Sequence, residues 1–300
     1  MRVSTNTWQV GDVTVSRIVE TENTSLPPER LSTGLTKERV QQCDWLAPDY
    51  ADSDGTLKLS VHAFVVESRG VRIVVDTCVG NDKPRANPHW NMLQRPFLGN
   101  FAAAGFAPET IDYVLCTHLH VDHVGWNTRW DGKAWVPTFP AAQYLFARTE
   151  WNHWTDEHRT TDDTGHIGKM LQMETVFADS IAPIVAAGLH QLVETDHRIT
   201  DEVALVPTPG HTPGHVSVII RSAGKMACIT GDMAHHPIQI ADPAICSNFD
   251  SDQQQSAKTR WQFVADHADR DILVFGTHFV TPSAGYIVSD AAGWRLIQKD

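Results

Sequence analysis

The sequence predicts an α/β fold in which two mixed β-sheets are flanked by helices. Three observations carry that expectation. Short β-branched apolar runs occur in both halves of the chain, with candidate helices between them. The eightfold βα alternation of a closed parallel barrel is missing, and no Gly-x-Gly-x-x-Gly follows a strand. No linker, repeat or low-complexity stretch divides the 300 residues, so one domain is expected over 1–300.

The elements follow in order. Residues 9–20 (QVGDVTVSRIVE) alternate as a strand does. Residues 21–57 mix Pro, Ser, Thr and charges, with a short helical stretch around Thr36 to Gln42, and read as an irregular N-terminal arm. Within it Trp45 and Leu46 are apolar in a polar setting. A long irregular segment in a compact protein is usually functional or covered. The arm is therefore expected to pack over the site mouth or over a neighbouring subunit, giving a homodimer. Residues 58–67 and 71–76 read as a hairpin about Arg69-Gly70. A helix is expected within 91–105, a turn at Ala107-Pro108-Glu109, and a short strand over Asp112 to Cys116. Residues 143–147 give another strand, and Thr149 opens a helix running to Glu157. Ile167 to Ala187 is the longest helix candidate, interrupted by Pro183. Strands follow at 202–206, 216–221 and 225–230, then a helix over 251–267 opened by Ser251 or Asp252. Strands at 271–275, 284–288 and 293–297 end the chain.

Composition narrows the function. Hydrophobic residues make up 42% and charged ones 20%, enough for a sizeable core without disulfide staples. The formal net charge of −12 argues against a nucleic-acid partner, which needs a basic face. It leaves room for a locally positive site, because bound metal ions bring their own charge. The five cysteines, Cys43, Cys78, Cys116, Cys228 and Cys246, form no Cys-x-x-Cys pair and read as small buried hydrophobes in a reducing compartment. MRVSTNTWQVGD has no apolar leader region, and no apolar run approaches the ~20 residues of a membrane span. A cytoplasmic protein without a membrane partner is expected.

Of the 16 histidines, those following strands carry the chemistry. Cys116-Thr117-His118-Leu119-His120-Val121-Asp122-His123 comes directly after the strand DYVLC. In extended chain, i and i+2 share a side, so His118 and His120 can address one ion together. Asp122 and His123 lie where the chain must turn and can reach a second ion. Imidazole and carboxylate suit zinc, and also iron, cobalt or manganese. A two-metal site needs further donors from other strand ends. His211 in PGHTPGH follows EVALVP, Asp232 in TGD follows KMACI, and His278 in GTH follows DILVF. Loops on a rigid scaffold are where such sites are built.

THLHVDH, TPGHTPGH, TGD and GTH, in this order, resemble the metal-binding motifs of the metallo-β-lactamase superfamily. The resemblance runs from about Val61 to about Val288 and includes VVDTCVGN, whose Asp76 is similar to the aspartate of the superfamily's first motif. It implies an αββα sandwich with two divalent metal ions at one edge, zinc foremost. It further implies that His118, His120 and His211 hold the first ion, that Asp122, His123 and His278 hold the second, and that Asp232 bridges them. A water or hydroxide between the ions would be the nucleophile, and Asp122 the proton shuttle. His215, the second histidine of HTPGH, is expected to orient ligands rather than to bind metal. In the related acyl-homoserine lactonases a tyrosine three residues after the bridging aspartate contacts the substrate. Here that place is His235, which is expected either to contact the substrate or to pack. Trp126, Trp130, Trp151 and Trp154 follow the histidine motif and read either as core or as an apolar wall for a hydrophobic substrate.

The pattern resembles the lactonase, arylesterase and methyl-parathion-hydrolase-like members, so cleavage of a lactone or carboxylic ester is expected, with phosphotriester hydrolysis as the alternative. Oxidoreductases of this fold fit less well. Flavodiiron proteins carry Glu where this chain has His120 and need a flavodoxin domain. Persulfide dioxygenases use a single iron. A purely structural zinc site would be closed and cysteine-rich.

Overall fold

The computed structural model describes residues 7–155, 172–291 and 293–299. Among these, the first large sheet has the order β1 (Thr7–Val10), β2 (Val13–Leu26), β3 (Leu57–Ser68), β4 (Val71–Val75), β5 (Tyr113–Leu115), β8 (Gln143–Ala147), β9 (His190–Val193). The second runs β10 (Val203–Pro207), β11 (Val216–Ser222), β12 (Lys225–Ile229), β13 (Ile272–Phe275), β14 (Ala284–Asp290), β15 (Gly293–Ile297). A small hairpin pairs β6 (Thr128–Trp130) with β7 (Trp135–Pro137). The first sheet is antiparallel from β1 to β4 and parallel from β4 through β5 and β8 to β9. In the second, only β12 and β13 are parallel.

Side-chain alternation sorts the residues into layers. Along β3, Phe64 and Val66 join the core between the sheets, while Ala63 and Val65 face the helices outside. Along β11, Val216, Val218 and Ile220 point inward and Ile219 outward. The inner core is completed by Ile73, Val75, Leu115, Leu145, Ile229 and Phe275. Phe97, Phe101, Val176, Ile181 and Ile184 cover the outer face of the first sheet. Phe263 and Val264, of the helix Gln253–His267, cover the second. These strands are buried on both faces, which is why they read as nearly continuous apolar runs. This is the expected αββα sandwich.

Several expectations are corrected. Residues 9–20 are not one strand but the hairpin of β1 and β2. It turns at Gly11, whose φ of +61° and close approach to the Ser222 carbonyl exclude a side chain. β2 then runs on to Leu26, so the arm at 21–57 begins as strand, with register shifts near Thr21 and Thr24. The rest of the arm is short helical turns at Pro28–Leu31, Lys37–Gln41 and Asp44–Leu46. Its Leu31, Leu35, Val40 and Leu46 are buried against Ile238, Phe279 and Val280 of the same chain. These four side chains are covered within the chain, whereas Trp45 of the same arm is half-buried.

The helix within 91–105 contracts to Phe97–Ala103, because Pro96 sits at its N-cap. The helix begun near Thr149 spans Arg148–Thr155, and the remainder of that expectation lies outside the described residues. Residues 167–171 of the 167–187 candidate also lie outside. Its described part runs from Met173 to Ala186 with a π-helical turn at Phe177–Ile181, just before Pro183, which lacks an N–H to donate. Gln253–His267 is the longest described helix, and it is the Asp252 side chain that caps it, accepting from the Gln255 N–H. The β6–β7 hairpin and β9 were not anticipated. Among the described residues no helix is long and apolar enough to cross a membrane.

Candidate metal centre

The ligand-type side chains converge because their strands end at one edge. β5 stops at Leu115, β10 at Pro207, β12 at Ile229 and β13 at Phe275, and each exits into a loop bearing His118–His123, His211, Asp232 or His278. The strand β5 ends before the motif, so His118 and His120 sit in a bent segment rather than in extended chain. They still meet, with ring centres 4.5 Å apart.

Asp232 occupies the middle. Its Oδ2 lies 3.8 Å from His118 Nε2, 3.2 Å from His123 Nε2, 3.5 Å from His211 Nε2 and 3.2 Å from His235 Nε2. Its Oδ1 lies 3.1 Å from His278 Nε2. On one side, His118, His120 and His211 form a group able to hold an ion; on the other, Asp122, His123 and His278 form a second. The seven expected ligands are all brought together. His235 belongs to a further such group with His211 and Asp232, so its geometry also allows it to ligate.

The ring orientations are set from behind. His123 Nδ1 lies 3.0 Å from Asp76 Oδ2, His211 Nδ1 3.0 Å from Asp250 Oδ1, and His278 Nδ1 2.8 Å from the Ser60 carbonyl. A proton on each Nδ1 leaves the Nε2 lone pair aimed at the centre. Asp76 also accepts from the Thr117 N–H, anchoring the start of the histidine loop. His215 joins none of the groups. Its Nε2 accepts the Asp232 backbone N–H at 2.8 Å, and its Nδ1 lies 3.1 Å from the Thr208 carbonyl, so it orients the loop bearing Asp232. Gly231, at φ +56°, lies so close that a Cβ there would come within 2.5 Å of His215 Nε2.

The electrostatics suit cations. Burial, then the neighbouring imidazoles, push His118 and His120 well below the ordinary histidine range. Burial also opposes charge on His123 and His278, but the carboxylates of Asp232 and Asp122, with Asp76 beside His123, outweigh it. They hold His123 well above that range and His278 up to about 9. Burial would raise Asp250, yet its bond to His211 and the charges of His211 and Arg260 bring it down to about 2. Two pairs of ring nitrogens face each other, His211 Nε2 and His120 Nδ1 at 2.9 Å and His278 Nε2 and His123 Nε2 at 3.3 Å. His118 Nε2 is buried without a hydrogen-bond partner. Ring nitrogens crowded this closely around a buried carboxylate fit a charged site, held by protons or by a metal cation, not a neutral core.

The tryptophans divide. Trp126 is core, stacked on Phe97 and donating to Glu20. Trp130 is exposed against Trp135 on the small hairpin, and Trp151 packs on Phe146 and Phe177. Trp154 alone of the four lies beside the centre, 5.6 Å from the His120 ring. Its indole donates to Glu150, a buried carboxylate that also accepts from the Leu119 and Gly214 N–H groups and so ties two ligand loops together. Glu150, Asp250 and Arg260 were not anticipated. In sequence they look like the ordinary charged residues of helices and caps.

Fold and site define an αββα sandwich built around a buried His/Asp cluster able to hold metal ions. Residues 57–281 match the family model described as the metallo-beta-lactamase superfamily, and the chain belongs to that superfamily. A curated relative from Bacillus cereus, described as an N-acyl homoserine lactonase, is 24% identical over 243 residues, covering 73% of this chain and 82% of the relative. One from Bacillus thuringiensis with the same description is 24% identical over 173 residues, so the match spans 57% of this chain and 58% of that relative's length. Among solved structures, a hydrolase of the beta lactamase superfamily called AbOPH superposes with a TM-score of 0.81 at 24% identity, covering 100% of this chain and 99% of its own. AidC, described as a dizinc quorum-quenching lactonase, superposes with a TM-score of 0.80 at 17% identity, covering 98% of this chain and 97% of its own. At these identities the structural likeness establishes the fold.

Proposed function

We propose that this protein is a dinuclear metal-dependent hydrolase that cleaves a lactone or carboxylic ester. The observation that carries the reading is the convergence of two three-residue groups on the two sides of Asp232. In it, His118, His120 and His211 would hold one divalent ion, Asp122, His123 and His278 the other, with Asp232 serving both groups, and zinc is the first choice for this donor set. Two such ions supply a water of near-neutral pKa and polarise the substrate's carbonyl oxygen.

The chain's own residues do the rest. Asp122 is the most exposed of the seven, its side chain 12% accessible, and its carboxylate faces both His123 and His278. It is placed to take a proton from the attacking water and pass it to the leaving oxygen. His235 donates to the carbonyl oxygen in the place where the lactonases have tyrosine. Trp154 offers an apolar wall beside His120, suited to a small hydrophobic substrate. The curated relatives, described as lactonases acting on N-acyl homoserine compounds, support a lactone over a phosphotriester.

The test is metal analysis of protein purified without chelator, joined to a panel of acyl-homoserine lactones, carboxylic esters and paraoxon-type phosphotriesters. Two equivalents of metal are expected, with lactone or ester turned over fastest. One equivalent after reconstitution would overturn the dinuclear reading. Fastest turnover of a phosphotriester would overturn the substrate class.

A further inference from the structure

We infer that Asp250, braced by Arg260, is a positioning residue that sets the His118, His120 and His211 half of the centre. The inference rests on the dinuclear reading above and adds a residue that the four ligand motifs do not contain. Each half of the centre has one histidine backed by a buried carboxylate. On one side it is His123 on Asp76; on the other it is His211 on Asp250. Asp76 stands in a recognisable motif, whereas Asp250 stands in the loop before the helix Gln253–His267.

The geometry is specific. Asp250 Oδ1 faces His211 Nδ1 at 3.0 Å, and Oδ2 accepts the Ser247 N–H at 2.8 Å. The next two residues grip the same loop: the Ser251 N–H donates to the His211 carbonyl and the Asp252 N–H to the Gly210 carbonyl, each at 2.9 Å. A Cβ on Gly210 would meet the Ser256 backbone at 2.3 Å, so loop and helix are in direct backbone contact. His211 is held by both backbone and ring from one segment.

Arg260 connects this brace to the central carboxylate. It is fully buried, and its Nη1 donates to the Met233 carbonyl at 2.6 Å, one residue past Asp232, while its Nε donates to the Pro243 carbonyl. Its Nη2 lies 3.7 Å from Asp250 Oδ2, an ion pair without a hydrogen bond. The hydrogen bond of Oδ1 goes to the histidine. A carboxylate on Nδ1–H fixes the tautomer and turns Nε2 toward the ion, and removing such a partner costs ~10–100-fold in metal affinity.

The experiment titrates apoprotein with Zn2+ against a chromogenic chelator, resolving the affinities of the two ions, with circular dichroism and melting of the apo form alongside. In Asp250→Ala one affinity is expected to fall ~10–100-fold and the other to keep its wild-type value. Asp250→Asn, which keeps one oxygen and so can accept from only one of its two neighbours, His211 or the Ser247 N–H, should fall between, and Asp271→Asn, a surface control, should match wild type. Two unchanged affinities in a folded Asp250→Ala protein would overturn this inference alone. Equal loss of both affinities together with a less stable apo form would overturn it in favour of a structural role. Wild-type protein that takes up fewer than two ions would overturn it together with the dinuclear reading.

Discussion

Replacing His235 with alanine separates three roles that one side chain could fill. The structure says what is lost. The His235 backbone N–H donates to Gln239 Oε1, a bond that truncation leaves intact, so the loop should hold its course. The ring lies 5.8 Å from that of His278 and nearly parallel, with Nε2 3.2 Å from Asp232. Asp232 keeps the imidazoles of His118, His123, His211 and His278 around it. Metal content should therefore stay at two ions. Loss of one donor to the developing oxyanion typically lowers kcat by ~10²–10³, equivalent to about 3–4 kcal/mol of barrier. Steady-state kinetics on the best ester or lactone, with metal analysis of the same sample, makes the measurement. Both kcat and kcat/KM should fall while metal is retained. Wild-type turnover would assign His235 to packing. Loss of one ion would make it a ligand, through its grouping with His211 and Asp232. Either result refutes the role as a substrate donor.

Two further outcomes are expected. Asp232→Ala should abolish most activity and weaken the second ion, because five buried histidines lose their shared carboxylate; a variant with two ions and normal turnover would remove the bridging role. Lys83 is buried between Thr128 and Asp179, and burial, against the pull of Asp179, lowers it from 10.5 to about 8. Between those values the unfolded chain holds a proton that the folded one has released. The stability tied to Lys83 should therefore rise with pH across that window, by up to about 3 kcal/mol. Urea unfolding of wild type and Lys83→Met at pH 7 and pH 10 measures it, and a wild-type advantage that stays flat or shrinks would refute the shift.

Much of the sandwich was legible because its strands are buried on both faces, and β-branched runs such as VRIVV and VSVII have few other uses. The seven candidate ligands were legible for a related reason: each follows the end of such a run. The hairpin at Gly11 was missed because Gly-Asp inside an alternating stretch hides between matching apolar residues on either side. The arm looked irregular because helical turns of three to five residues leave no period to detect. Asp250 was invisible for a different reason. An acid two residues before a helix cap has the appearance of helix-start chemistry, and only its approach to His211, 39 residues away in sequence, shows otherwise.

The candidate ligands come from both layers: His118 to His123 follow a strand of the first sheet, and His211, Asp232 and His278 follow strands of the second. An ion held there is a rivet through the seam between the sheets. Cohesion of the sandwich and occupancy of the centre are then one equilibrium viewed from two sides. At a free ion concentration a thousandfold above its dissociation constant, a single such rivet adds about 4 kcal/mol to the folded state. The metal supply of the compartment would thus set how firmly the layers are closed as well as how fast the enzyme turns over. Selection acting on either property would move the other.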